Sequence, residues 1–222
     1  MKIIYVIVPT NNRKMLNKED LQPFKSSKDN LIVAYPDTRL DQLNTMADVI
    51  EVLPLMKAAI TAAKEDGAAA IIINGFGDVG ITKENEHDEI PMVGLGRIVV
   101  RELSKISKGK FTVLPAQPGH EAFIEGLIIE EDIKNYIRAP AAIGLQPKEI
   151  RTSESALEAL FTAACAAIDE EGVDSISVAC ASFFGLADKL QQMLCATYKK
   201  EIHVIDPLKV TLQYVRNTLL VA

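Results

Sequence analysis

Chemistry in this chain can start at Cys180. In the stretch from Asp174 to Gln191 an apolar run, Ile176 to Ala181, ends in a small-residue turn that holds this thiol. Leu186, Leu190, Met193 and Leu194 then recur at helical spacing from near Phe183. A thiol so placed is expected where a strand gives way to a helix. The unpaired N–H groups and partial positive charge of a helix N-terminus favour thiolate over thiol and also hold carboxylates. The expectation is therefore a cysteine of lowered pKa acting on an anion. The competing reading is a buried strand-end cysteine, the ordinary fate of a free thiol.

A second constellation is Gly75, Phe76, Gly77, Asp78, Val79, Gly80, which matches G-x-G-x-x-G literally and follows an apolar strand from Ala68 to Asn74. The dinucleotide reading fails on spacing. The next strand, Pro91 to Gly94, comes too soon for the long helix that the fingerprint needs, and Asp78 would face a pyrophosphate. A glycine turn that presents backbone N–H groups to a smaller anion fits better. Thr10 and Asn11 follow the first apolar run, at the strand end where open α/β sheets place ligands, although a plain polar turn explains them as economically. Gly94 to Gly96 leads into a helix whose N-terminus could hold a carboxylate or could simply be tight packing.

Other titratable side chains are weaker candidates. Cys165 lies in a helix with a strong core stripe, and Cys195 falls about 22 Å beyond Cys180 if the helix between them is continuous. His87 sits in the charged stretch Lys83 to Glu89, where a solvated histidine is the simpler reading, and Asp78 remains as a possible base. Three cysteines without a C-x-x-C pair suggest neither a disulfide framework nor a zinc site. The chemistry open to a lone thiol requires no metal, flavin, pyridoxal phosphate or nucleotide, so no cofactor is expected.

The elements that must position these residues alternate between strand and helix. Lys2 to Pro9 reads as a central strand buried on both faces, and Leu31 to Tyr35 as a second strand. Pro54 is placed to open a helix that runs to about Asp66, with Leu55, Ala58, Ala59, Ala62 and Ala63 facing inward and Gly67 closing it. Strands at Phe111 to Leu114 and Ile202 to Ile205, a short helix at Glu121 to Glu125, a long one from Thr152 to Glu171 with Ser153 and Ser155 as caps, and a last one from Pro207 to Leu220 complete the order. The fold class is α/β, with two similar parallel-sheet domains: residues 1–95 plus 207–222, and residues 96–206 carrying Cys180. If the halves are related by a pseudo-twofold, the Asn74 to Gly80 and Ala179 to Gly185 turns would face each other across a cleft that forms the active site.

With 222 residues, 48% hydrophobic and 5% aromatic, the chain has enough apolar material for such cores. A net charge of −6 without basic blocks argues against nucleic acid and against anionic membranes as partners. A small anionic substrate is the expected partner. The run Ile3 to Val8, cut off by Pro9, is too short for a secretory leader or a membrane span, so a cytoplasmic protein is expected.

Four motifs in order then resemble the aspartate/glutamate/hydantoin racemase superfamily. Gly75 to Gly80 and Pro91, Met92, Val93, Gly94, Leu95, Gly96 are similar to its first-half Cys-Phe-x-Asp-Pro-Gly and Pro-Val-Val-Gly-Ile-Gly. Ala179, Cys180, Ala181, Ser182, Phe183 and Ile205, Asp206, Pro207 are similar to its second-half Gly-Cys-Ala-Gly-Met and Ile-Asp-Pro. Val8, Pro9, Thr10, Asn11 only approximate its Asn-Pro-Asn-Thr. The resemblance implies a cofactor-independent racemase-like enzyme, commonly a homo-oligomer. Its site would comprise Cys180 as acid/base, with Thr10, Asn11, Gly75, Phe76, Gly77, Asp78, Ala181 and Ser182 around the substrate. Family racemases use two cysteines, one on each face of the α-carbon. Here Gly75 stands at the first position and has no group to accept a proton. That pattern resembles the arylmalonate decarboxylases of the superfamily, in which loss of carbon dioxide makes the carbanion and one thiol protonates it. A non-catalytic small-anion-binding relative is the alternative from another class.

Overall fold

The computed structural model describes residues 1–13, 16–146, 149–152 and 155–221. The chain divides into two compact units, Met1–Leu95 together with the segment from Thr211 on, and Gly96–Val210. Both are α/β, with strands that run parallel.

In the first unit, β1 (Lys2–Ile7) is flanked on both sides in a four-stranded sheet of order β2-β1-β3-β4, with β2 at Asp29–Ala34, β3 at Ala70–Ile73 and β4 at Met92–Gly94. β1 from Ile4 on and all of β3 are buried on both faces, which accounts for their apolar runs. Tyr5, Ile7, Ile71 and Ile73 pack against the helix α1 (Met46–Glu65) through Val52, Met56, Ile60 and Ala63.

Two expectations for α1 are corrected. Pro54 does not open the helix but lies inside it. The start is set eight residues earlier by a capping box, in which the Thr45 hydroxyl accepts from the Asp48 N–H and the Asp48 carboxylate accepts from the Thr45 N–H. Proline has no N–H for the carbonyl of Ile50, but both residues are exposed, where solvent can serve that group. The buried face is also rotated from the alanine stripe: Ala58 and Ala62 are exposed, because the larger Val52, Met56 and Ile60 gain more by burial.

The last residues belong to this first unit. Helix α7 (Pro207–Tyr214) continues as a π-helical turn over Val215–Leu219. From it Arg216 forms a two-pronged ion pair with the buried Asp29, at 2.7 and 2.8 Å, and donates to the Phe24 carbonyl. Tyr214 donates to the buried carboxylate of Glu86 at 2.9 Å, and Lys2 reaches the Leu220 carbonyl.

The second unit is built on a three-stranded sheet of order β5-β6-β7, formed by Phe111–Pro115, Ser175–Ala179 and His203–Val204. An irregular stretch runs along β5, with Ile137 donating to Phe111, and Ile143 and Gly144 to Pro115 and Ala116. Helices α5 (Ala156–Glu171) and α6 (Ala187–Tyr198) cover one core through Leu160, Ala164, Ile168, Leu190 and Leu194. Helix α5 starts later than the sequence pattern suggests, after a separate turn α4 (Glu149–Thr152); Ser155 precedes it without a side-chain cap bond, and Ser153 lies outside the described residues. Helix α3 (Glu121–Glu130) runs five residues beyond the expected Glu125. At the first turn of helix α2 (Leu95–Ile106) the buried Arg97 guanidinium is already paired with Glu130 and Glu131, and Arg101 shares Glu131.

Among the described residues no helix is long and apolar enough to cross a membrane, and no group of three or more His, Cys, Asp or Glu could hold a metal ion.

Candidate active site

In the first unit two turns meet at the carboxyl ends of β1 and β3. The ladder extends one step past each strand: Val8 donates to Ala34, and Asn74 to Ile7. The chain then turns at Gly75, whose carbonyl accepts from the Asp78 N–H at 3.2 Å. Asp78 and Gly80 both take the left-handed conformation, with φ of 48° and 90°. Aspartate tolerates this better than bulkier residues because its short side chain can bond locally. No long helix follows; a 3-10 turn (Lys83–His87) leads on to β4, so the dinucleotide geometry is absent here.

Gly75 is fitted tightly to the first turn. A Cβ built on it would lie 2.6 Å from Pro9 Cγ and 3.2 Å from Pro9 Cδ. The proline ring occupies the space that the root of a side chain would need. Gly94 has a similar relation to Asp78, whose carboxyl group fills the Cβ position of that glycine. Asp78 is thus buried over the end of β4.

Of the other expected residues in this unit, Thr10 is buried and its hydroxyl accepts from the Asn12 N–H, while Asn11 is exposed with its N–H on the Leu40 carbonyl. Phe76 is buried, Gly77 is exposed and His87 is exposed.

Asn74 was not singled out by its sequence position, where it reads as the polar end of an apolar strand. Its side chain is 1% exposed, and neither Nδ2 nor Oδ1 has a hydrogen-bond partner. Leaving a buried donor and acceptor unpaired costs on the order of 1–3 kcal/mol for each group.

In the second unit, β6 ends at Ala179 and Cys180 follows. Sequence spacing suggests that a helix begins near Phe183, with the thiol at its N-terminus. The structure differs. Cys180 caps only a single 3-10 turn, Ala181–Phe183, and α6 begins at Ala187 after Gly185, whose φ is +79°. Asp206 explains the break: its carboxylate accepts from the Gly185 N–H at 2.7 Å and from the Lys209 N–H at 3.0 Å. One side chain therefore caps α7 and clamps the loop that carries the thiol. Asp206→Ala is expected to lower stability by about 0.5–2 kcal/mol, the usual range for a lost cap, measurable by urea denaturation.

The expected lowering of the Cys180 pKa is also overturned. Burial pushes the thiol up to about 11, against weaker opposition from the Ser182 N–H, which donates to Sγ at 3.4 Å, and from the Ser182 hydroxyl. A single 3-10 turn aligns too few peptide dipoles to offset complete burial. The Ser182 hydroxyl is itself buried and makes no hydrogen bond of good geometry. Ala181 is buried beside it.

The other thiols are differently placed. Cys195 Sγ accepts from the Ile202 N–H and lies 3.5 Å from the Ile202 carbonyl, while Cys165 is half-buried against the core, with Tyr198 donating to its carbonyl. Another candidate that spacing did not reveal is His120, just before α3, which burial holds toward the neutral form. β5 and β6 are parallel neighbours, with Pro115 paired to Ala179, so the His120 loop leaves the sheet at the same end as Cys180.

A family model, Asp/Glu/Hydantoin racemase, matches residues 22–215. The chain belongs to this family. Among curated relatives it is 27% identical over 147 residues to a hydantoin racemase from Rhizobium meliloti, covering 66% of this chain and 61% of that one. It is 25% identical over 146 residues to a hydantoin racemase of a Pseudomonas strain, covering 64% and 57%. The matched stretch thus spans about three-fifths of these relatives' length. Among solved structures, an allantoin racemase from Klebsiella pneumoniae superposes with a TM-score of 0.84 at 18% identity, over 98% of this chain and 87% of the other. An unliganded arylmalonate decarboxylase gives 0.62 at 13% identity, over 97% and 92%. At these identities the superpositions establish the family's two-domain α/β fold.

Proposed function

We propose that this chain is a cofactor-independent enzyme that works at the α-carbon of a small carboxylate or ureide, with Cys180 as its single thiol acid; on a ureide the α-proton passes first to another base, for which the buried Asp78 is the candidate. The observation that carries the reading is the Cys180 half-site. The sulfur lies at the end of β6, is buried, and is held as a thiol by a pKa pushed up to about 11. A buried S–H at neutral pH is suited to giving a proton to carbon and poorly suited to taking one.

Pro9 supports a second reading, the single-cysteine decarboxylase. Because the proline ring fills the Cβ space of Gly75, the position that the motif resemblance matches to the family's first cysteine has neither a thiol nor room for one. Two-thiol racemisation then has no second partner. Decarboxylation needs none: loss of carbon dioxide from a substituted malonate leaves the bonding electron pair on the α-carbon as an enediolate. The Cys180 S–H proton passes to that carbon, and the thiolate takes a proton back from water.

The test is deuterium incorporation at the α-carbon, followed by NMR in deuterium oxide for amino acids, hydantoins and substituted malonates. One deuteron added to one face, and lost in Cys180→Ala, is the expected result. Incorporation that persists in Cys180→Ala removes the thiol from the mechanism. No incorporation across the panel favours a small-anion-binding protein.

A further inference from the structure

Asn74 carries a further assignment. Its position is fixed by the sheet, since its backbone N–H continues the β1–β3 ladder by donating to Ile7 at 2.8 Å. The next residue is Gly75, wedged under Pro9. Its side chain is buried, yet both ends of the amide are unpaired. An apolar residue would satisfy this strand end without leaving polar atoms bare, as Ile71, Ile72 and Ile73 do just before it. From this we infer that Asn74 is a ligand-contacting specificity residue that reads an amide edge, a carbonyl and an N–H side by side. The inference rests on the leading proposed reading, narrows its substrate class to a ureide or cyclic amide, and counts against the malonate of the decarboxylase reading.

The argument is one of hydrogen-bond complement. A carboxamide presents one acceptor and two donors in a plane. A ligand with adjacent C=O and N–H groups pairs with Nδ2 and Oδ1 at once, and the match is the same whichever way the amide is turned. A carboxylate offers acceptors only. It could bond Nδ2 but would leave Oδ1 bare and set against a negative oxygen. Sites built around a buried donor and acceptor reject ligands that leave one of them unpaired.

The experiment is isothermal titration calorimetry at neutral pH with hydantoin and with succinate, on the full chain and on Asn74→Leu and Asn74→Asp, alongside thermal unfolding without ligand. Asn74→Leu removes both polar groups at similar size, and Asn74→Asp leaves acceptors only. The expected result is a loss of hydantoin affinity of tenfold or more in both variants, while the unliganded Asn74→Leu chain melts no lower than the wild type. A residue that merely supports the fold would lower the melting temperature and leave affinity intact, and that result overturns the assignment. So does hydantoin affinity unchanged in both variants, or a wild-type chain that binds succinate alone or neither probe. Binding is read without turnover, so deuterium incorporation that still depends on Cys180 would leave the proposed chemistry standing while this assignment fell.

Discussion

Cys180→Ala will lower the rate of proton delivery to the α-carbon by about 10²–10⁴, the usual contribution of a positioned acid or base. The initial rate of deuterium incorporation measures it, with circular dichroism showing that the fold persists. The pH profile gives an independent reading, because the thiol is pushed up to about 11. As an acid it stays loaded through neutral pH, so the rate holds level and falls only toward pH 11. As a base it would give a rate that climbs across that same range. A rising profile would overturn the acid assignment.

The same burial links the thiol to stability. Its folded pKa of about 11 lies above the ordinary 9.0, so the folded chain holds this proton more tightly than the unfolded one. That contribution is fully present below pH 9 and is lost as pH rises toward 11. Its size is roughly 3 kcal/mol, at about 1.4 kcal/mol per pH unit of difference. Urea denaturation of wild type and Cys180→Ala at pH 7 and at pH 10.5 isolates it, because Cys165 and Cys195 are common to both. The wild type should lose ground to the variant at the higher pH; a constant gap would mean that the thiol is not held protonated.

Gly75→Cys is expected to destabilise the first unit rather than install a working second thiol. Its Cβ would meet Pro9 Cγ at 2.6 Å, and the five-membered ring can yield only by changing its pucker or shifting the backbone. Overpacking of this kind costs about 1–3 kcal/mol, and each kcal/mol lowers the melting temperature of a chain of this size by about 2–4 °C. The coupled variant Pro9→Ala with Gly75→Cys should recover much of that loss, and a double-mutant cycle measures the interaction directly. Exchange of amino-acid α-protons should then be sought in the coupled variant. A Gly75→Cys chain as stable as the wild type would show that Pro9 gives way freely, and the argument from missing space would fail.

Much of the fold is legible in sequence because its cause is local. Parallel strands buried on both faces need unbroken apolar runs, so Lys2 to Ile7 and Ala70 to Ile73 announce themselves. The turn after β6 was legible only as far as Cys180. What delays α6 is a hydrogen bond from Gly185 to Asp206, contributed by the end of another strand, and local helical spacing carries no trace of it. Thr45 and Asp48 hold the start of α1 locally as well, eight residues ahead of the Pro54 turn at which a helix is expected to open. Buried partners decide the remaining cases. Asn74 stands out for bonds that it does not make, and Cys180 has a raised pKa because of what surrounds it rather than what adjoins it.

The ion pair between Arg216 and Asp29 has a consequence for biosynthesis. A ribosome releases Asp29 long before Arg216, and the whole Gly96–Val210 unit emerges in between. Domains synthesised first ordinarily fold first. Here the first unit to emerge must wait with the Asp29 carboxylate and the Glu86 carboxylate lacking the Arg216 and Tyr214 contacts, and it is finished only after the second is fully made. A chain cut off before residue 214 would therefore keep every strand of both sheets and still leave the amino-terminal unit without its two closing contacts.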